Sequence, residues 1–378
     1  MQQNINHLSS AVFAYFPLTA ASFRSIMKAL SQALSSGNLR MNNNSRPPSI
    51  DDVARRAKVS ISTVSRVINH TAPVSPEITV RVEAAMRELN YVPHMAARNL
   101  ATRRTNTIGV LLSDMLGDFF QPLLTGIETV ARENGFEILI SMTGVTRPQD
   151  QRVRPFGLHN TDGLLIFSGS LTSEGIAQAH ATGLPLVLIH QSSPDGLGIP
   201  CVTVENKAAS RKIMEHLIVA HQRRRIVLLS GPEDNEDARW RELGYREALA
   251  AHSIAVDQQL IGAGDFDRGI ACATVEKMLA TGVAFDAIFT GDDEAAVGAL
   301  MALEARGVRV PEEVSVAGFD DQRLATILHP PLTTVRAPTE QVGQAAARQL
   351  IKLVRTGSAD PLTLLPTELV FRRSCGCR

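Results

Sequence analysis

The chain has 378 residues, 44% of them apolar and 20% charged, with a formal net charge of zero. That is the balance of an ordinary globular protein with room for two or three cores, and it excludes a collagenous, disulfide-dense or wholly disordered chain. The charge is unevenly spread. Residues 1–44 carry +3, residues 45–104 carry +5 and the remainder −8, so a small basic head precedes an acidic body, as expected of a head that meets a polyanion.

Residues 1–48 contain no acid, are rich in Asn and Ser, and end in NNNSRPP; they read as a disordered leader. Met41, just before the first organised segment, reads as an alternative translation start. Ala11 to Ala21 is mildly apolar but lacks a basic lead and a clear cleavage site. With no run of 18 apolar residues, the expected compartment is the cytoplasm.

Three short helices are expected within residues 49–93. Ser49 caps the first, whose opening turn holds Asp51 and Asp52 and whose apolar side is Val53, Ala54 and Ala57. Lys58-Val59 is a tight connection, and Ser60 or Ser62 caps the second helix. Ser75-Pro76-Glu77 opens a third, with Ile78, Val82, Ala85, Met86 and Leu89 at helical spacing. The pattern fits a helix-turn-helix. Its second helix lies in VSISTVSRVIN (59–69), crowded with hydroxyls that are mediocre helix formers. Val64, Val67 and Ile68 face inward. The hydroxyls and Arg66 face out, where they suit phosphate oxygens and base edges better than they suit a helix.

Beyond Thr107 the texture alternates between strand and helix. IGVLL (108–112), an amphipathic helix around 120–134, FEILI, GLLIF (163–167), PLVLI (185–189), RIVLLSG (225–231), AIFTG (287–291) and VSVAGF (314–319) read as buried parallel strands and their crossovers. So many in about 230 residues imply two doubly wound lobes. GAGDFDRG (262–269) is a near miss for a dinucleotide loop, and no GxxxxGK[ST], HExxH or GxSxG occurs, so an enzyme is not expected. The four cysteines make no disulfide framework, and the terminal Cys375-Gly376-Cys377 offers too few ligands for zinc. No metal or cofactor is expected.

SIDDVARRAKVSISTVSRVINHTAPVSPEITVRVEAAMRELNYVP, followed by HMAARNLATRRTNTIGVL (94–111) and, near the end, LPTELVFRRS (365–374), closely resembles the lactose/galactose repressor family over about 330 residues. The resemblance implies a small all-α helix-turn-helix headpiece and an α/β two-lobe, periplasmic-binding-protein-like body of doubly wound parallel sheets. The implied divisions are a leader at 1–48, a headpiece at 49–93, a hinge at 94–106 and a body at 107–374. The N-lobe would take about 107–204 and 339–366, and the C-lobe about 205–335 plus the C-terminal segment.

By the same resemblance Ile61 and Ser62 read operator bases. Ser60, Thr63, Ser65, Arg66, Asn69, Tyr91 and Arg98 contact backbone or base edges, and Leu100 is the hinge wedge in the minor groove. Phe119, Phe120, His190, Arg241, Phe266, Asp292 and Asp320 match effector contacts between the lobes; for Asp292 and Asp320, plain helix capping is the competing reading. The resemblance thus implies a homodimeric repressor on a pseudo-palindromic DNA operator, answering to a small molecule. A sugar or sugar derivative is the expected effector and a nucleobase the alternative. A sugar-binding transport receptor shares the two-lobe body but not the headpiece, and an oxidoreductase would need a phosphate loop. Three positions depart from the family pattern: Lys58, where a Gly is usual; His190, where many relatives have an acid; and Pro155 with Gly157, which interrupt a helix that is normally continuous. With no heptad-bearing tail after Arg373, a dimer is expected rather than a tetramer.

Overall fold

The computed structural model describes residues 48–69, 72–92, 104–113, 118–143 and 156–377. The expected leader, Met41, Pro155, most of the hinge, and with it Arg98 and Leu100, lie outside the described residues. The chain divides into two units at Arg98/Asn99.

The first unit holds α1 (Ile50–Ala57), α2 (Ile61–Asn69) and α3 (Pro76–Glu88). At the head of α1, the Asp52 carboxylate accepts from the Ser49 backbone N–H at 2.9 Å and from its hydroxyl at 2.6 Å. Lys58 then turns the chain in the left-handed region (φ 53°). This is the position where a Gly is expected, and the side chain there costs about 1 kcal/mol. Ser60, rather than Ser62, caps α2, its hydroxyl accepting the Thr63 N–H at 3.2 Å. Ser75 caps α3 by accepting from Ile78 at 3.4 Å. Val53, Ala54, Ala57, Val64, Val67, Val82 and Ala85 form one buried core. It is small, but three helices sharing it leave each only one wet face.

The second unit is built on two all-parallel sheets. The first contains β1 (Thr107–Leu112), β2 (Glu137–Met142), β3 (Gly163–Phe167), β4 (Leu186–Ile189), β5 (Cys201–Val204) and β11 (Leu362–Leu365), in the order β11-β5-β4-β3-β1-β2. Helices α4 (Phe120–Glu133) and α11 (Thr339–Thr356) cover one face, and α5 (Ser173–Ala181) lies on the other. Alternate residues of each inner strand face opposite cores: Val110 and Leu112 one way, Leu111 the other. The edge strands differ from the expectation of buried strands. Leu139, Ile140 and Met142 on β2, and Leu362 and Leu364 on β11, are exposed, because an edge strand has neighbours on one side only.

The second sheet runs β7 (Ile261–Ala263), β6 (Ile226–Ser230), β8 (Ala287–Thr290), β9 (Ser315–Ala317). Helices α6 (Asn206–Val219) and α7 (Glu236–Ala251) cover one face, α8 (Arg268–Ala280) and α9 (Asp293–Ala305) the other. The short α10 (Leu324–Ile327) follows β9, and β10 (Thr334–Arg336) pairs antiparallel with β12 (Glu368–Val370). The chain crosses between the sheets after β5, after β10 and after β11. One apolar core runs through both, from Ile108 and Leu165 to Tyr245, Phe289 and Phe319.

Helices α4 and α11 cross at glycines. A Cβ on Gly343 would meet the carbonyl oxygen of Leu123, and one on Gly126 that of Glu340, closer than real Cβ atoms approach. Gly343→Ala must push the helices apart, outweighing the gain in helix propensity. It is expected to destabilise the chain by about 1–3 kcal/mol, read as a lowered midpoint in equilibrium urea unfolding.

Candidate functional site

On α2 the outward residues form a polar strip. Ser60, Ile61, Ser62 and Arg66 are exposed, Thr63, Ser65 and Asn69 partly so, while Val64 and Val67 are buried. The Ser60 hydroxyl lies 2.7 Å from that of Ser62 and 2.8 Å from that of Thr63. Asn69 donates to Ser65 at 3.2 Å, and its own side-chain oxygen is buried without a partner among the described residues. Ile61 is 47% exposed. Tyr91, partly buried against the three-helix core, closes the unit at the far end of α3.

In the body, the C-terminal ends of strands from both sheets converge on a chain of buried charges. His190, directly after β4, places Nδ1 at 2.7 Å from the Asp237 carboxylate at the start of α7. Asp237 also accepts from Asn206 at 2.7 Å and from Thr203 at 3.3 Å. One turn further along α7, Arg241 lies 3.8 Å from Asp237 and 3.3 Å from Asp320, which follows β9. Its Nε donates to Asn206 at 2.9 Å and a terminal nitrogen donates to the Gly291 carbonyl after β8. The guanidinium rests on the Phe319 ring at 3.7 Å, with Phe266 at 5.7 Å. His190, Asp237, Arg241 and Asp320 are all at least nine-tenths buried.

The structure therefore brings His190, Arg241, Phe266 and Asp320 together. Phe119 joins them through its ring, 6.0 Å from His190 and 5.8 Å from Phe167. Phe120 packs into the hydrophobic core, 5.1 Å from Phe167, and approaches the charges only through that ring. Asp292 caps α9, accepting from Ala295 at 2.9 Å. Asp237 was not singled out from the sequence, nor were Asn206, Thr203, Phe167 and Phe319. The available signal was Asp237 standing four residues before Arg241, a helical ion-pair spacing.

The electrostatics are asymmetric. Burial pushes the Asp237 carboxyl up, but the His190 charge and hydrogen bond, with Arg241, more than offset it, so Asp237 titrates below the usual range. Burial raises Asp320 despite Arg241 and His190. Asp292 is pushed up to about 7 by burial and by the charge of Asp320. Asp293 beside it, held by Thr334 and the Gln322 N–H, is raised well above the usual range by burial and Asp320.

The backbone is strained at the same place. His190 (φ 60°), Asp265 (φ 50°), Phe266 (φ 56°), Asp320 (φ 103°) and Asp321 (φ 55°) all occupy the left-handed region, where each non-glycine residue costs on the order of 1–3 kcal/mol and persists only when its surroundings hold it. His190 Nε2, Gln191 Nε2 and Gln322 Oε1 are buried without a partner among the described residues. Strained backbone and orphaned polar atoms at the strand ends of two parallel sheets are the marks of a ligand site.

Residues 49–94 match the family model of bacterial regulatory proteins, lacI family, and residues 214–375 match that of the periplasmic binding protein-like domain. The HTH-type transcriptional regulator CelR of Thermobifida fusca is 34% identical over 342 residues, covering 87% of this chain and 98% of CelR. A solved complex of transcriptional regulator CelR with cellobiose superposes with a TM-score of 0.65 at 31% identity, covering 86% of this chain and 99% of that one. The lac repressor dimer bound to operator and the anti-inducer ONPF superposes with a TM-score of 0.78 at 29% identity over 87% of this chain and 99% of that one.

The raised pKa of Asp292 has a signed consequence. Its folded value of about 7 exceeds the unfolded one of about 4, so the folded state binds the extra proton between them. The Asp292 contribution to stability therefore falls as pH rises from about 4 to about 7 and is level above. Asp292→Asn keeps an acceptor for the α9 cap and lacks this titration. Its stability relative to wild type should grow across that window by a few kcal/mol, on the order of one pKa unit per 1.4 kcal/mol, measured by urea unfolding at stepped pH.

Proposed function

The chain belongs to the lacI family of bacterial regulatory proteins, DNA-binding transcriptional regulators rather than enzymes, and from that premise we propose that it represses transcription as a homodimer on a pseudo-palindromic operator and is controlled by a sugar or sugar derivative held among the buried charges of the body. The observation that carries the effector reading is the His190–Asp237–Arg241–Asp320 chain, with unpartnered polar atoms beside it and aromatic rings around it. Vicinal hydroxyls suit a carboxylate or guanidinium, which bonds two at once, and a sugar's apolar face suits an aromatic ring. CelR, whose solved complex holds cellobiose, supports the same class. The nucleobase alternative would ask for rings on both faces of a flat ligand.

In this reading Ile61 and Ser62 meet base edges, and Ser60, Thr63, Ser65, Arg66, Asn69 and Tyr91 hold the duplex. Of the two residues outside the described ones, Leu100 would act at the operator centre and Arg98 would contact the duplex. Two half-sites need two headpieces related by a two-fold axis, so dimer symmetry mirrors operator symmetry. Among the described residues no helix is long and apolar enough to cross a membrane, and a regulator that must reach the chromosome would work in the cytoplasm. Ligand and operator would be coupled by about 1–3 kcal/mol, reciprocally.

Arg66→Ala should weaken binding to all DNA sequences alike and make the salt slope shallower by about one, whereas Ile61→Ala should lose affinity mainly for operator. Electrophoretic shift titrations at several salt concentrations separate the two, and an Arg66→Ala protein with unchanged salt slope refutes the phosphate role.

A thermal-shift screen of mono- and disaccharides, sugar acids, sugar phosphates and nucleobases tests the effector class. A saccharide should raise the wild-type melting point, and Asp320→Asn should lose that rise while keeping ligand-free operator binding. Asn is preferred to Ala because truncation would strand the buried Arg241, a cost of about 3–5 kcal/mol. Stabilisation by a nucleobase alone overturns the sugar reading.

A further inference from the structure

The fold gathers four metal-ligating side chains that take no part in the charged chain just described: His216, His221, Cys375 and Cys377, whose ligating atoms all lie within 4.8 Å of one another. The sequence offers two thiols at its end, too few for a metal. The fold adds two imidazoles from the end of α6 and the turn after it, more than 150 residues away. We propose that these four residues bind one zinc ion that staples the C-terminal segment to α6.

The spacing fits a tetrahedral site. With Zn–S near 2.3 Å and Zn–N near 2.05 Å, tetrahedral geometry sets N···N at about 3.3 Å and S···N at about 3.6 Å. The two Nε2 atoms are 3.1 Å apart; Cys377 Sγ lies 3.4 Å from each, and Cys375 Sγ lies 3.7 Å from that of His216. These four of the six distances are within a few tenths of an ångström of the target, and the other two, from Cys375 to His221 and to Cys377, lie within 4.8 Å, so Cys375 must move in to complete the site.

The surroundings support ligation. Thr333 Oγ1 lies 3.0 Å from Cys375 Sγ, a donor for a thiolate, and the Phe371 ring lies over His216 at 4.2 Å. Gly376 turns at φ 106°, and a Cβ there would come within 3.0 Å of His221, so only glycine lets the two cysteines fold back onto the histidines. Cys375 is buried, while His216, His221 and Cys377 are partly exposed, which leaves a way in. Binding replaces two S–H bonds with two Zn–S bonds and releases two protons to water. The resulting Zn(S⁻)₂(N)₂ unit is neutral, as a half-buried site requires, and no redox partner is needed.

The segment so held is already woven into the second sheet. Ser374 Oγ donates to the Val316 carbonyl at 2.7 Å and Ser315 Oγ to that of Cys375 at 2.9 Å. Arg372 reaches Asp321 at 2.6 Å. A zinc ion would close this segment onto α6 from the other side.

The full chain, purified under reducing conditions without chelator, should carry stoichiometric zinc by plasma mass spectrometry. Replacing it with cobalt(II) should give the intense visible bands and near-ultraviolet thiolate charge-transfer band of a tetrahedral sulfur site. Cys377→Ser and His221→Ala, chosen because both residues are partly exposed, should each lower zinc affinity on the order of a hundredfold and lose the charge-transfer band. Cys272→Ser, whose thiol lies on α8, should keep it. If the variants unfold, the cobalt titration of the wild type and its reversal by chelator decide alone. A wild type without the charge-transfer band, a band that survives in Cys377→Ser, or an obligatory Cys375–Cys377 disulfide in the reduced preparation overturns the proposal.

Discussion

The contact on which the body depends is the 2.7 Å pair between His190, at the end of a strand of the first sheet, and Asp237, at the head of a helix of the second. Few groups are as costly to bury as charges, and a buried ion is tolerated only when its partners are placed for it. Here the partners come from both sheets in turn: Thr203 from β5, Asn206 from the head of α6, Arg241 from α7, Gly291 and Asp320 from the strand ends beyond. Each buried polar group's desolvation is offset by its neighbours. An apolar interface of the same size would hold the sheets together at lower cost. A buried ionic chain is weak evidence for stability and better evidence that this position must also recognise something polar.

The strain around it has the same origin. The left-handed turns at His190, Phe266, Asp320 and Asp321 aim side chains at a point that regular strand ends would miss. Glycines make room: a Cβ on Gly231 or Gly291 would strike the Phe266 ring, and one on Gly318 would strike the Asp293 carboxylate. Second bonds hold the turns in place, with Asp321 tied to both Arg336 and Arg372. A site that is expensive in backbone conformation and in buried charge is thus supported by the C-terminal segment, which pins one of its turns through Arg372.

What the sequence revealed follows from range. The helix-turn-helix was legible because its information is local: caps at Ser49 and Ser75, apolar spacing at Val64 and Val67, exposed hydroxyls between. Long buried strands such as β1, β3 and β6 announced themselves as apolar runs. The strands β5, β7 and β10, of three or four residues each, carry too few side chains to show a period. The exposure of β2 was illegible for a different reason, since FEILI is as apolar as its neighbours and only its place at the sheet edge wets it. Asp237 was missed because the residues that give it meaning, His190 and Asp320, are brought to it by the tertiary fold alone.

The same limit governs the chain's end. Two cysteines one residue apart look inert until α6 delivers His216 and His221 to them, and α6 reaches that place because it is the first element after the crossover from β5. The C-terminal segment arrives there by the third crossover, after β11. A cross-link at this point would join the strands of chain that enter and leave the second sheet, closing a loop of roughly 160 residues, where the cost of loop closure grows only slowly with length. The thiol–imidazole cluster therefore sits where one bond set would span the whole of the second sheet. Through Ser374, Arg372 and Asp321 it bears on the turn that holds Asp320, so order at the terminus and order at the buried charges are two ends of one hydrogen-bonded segment.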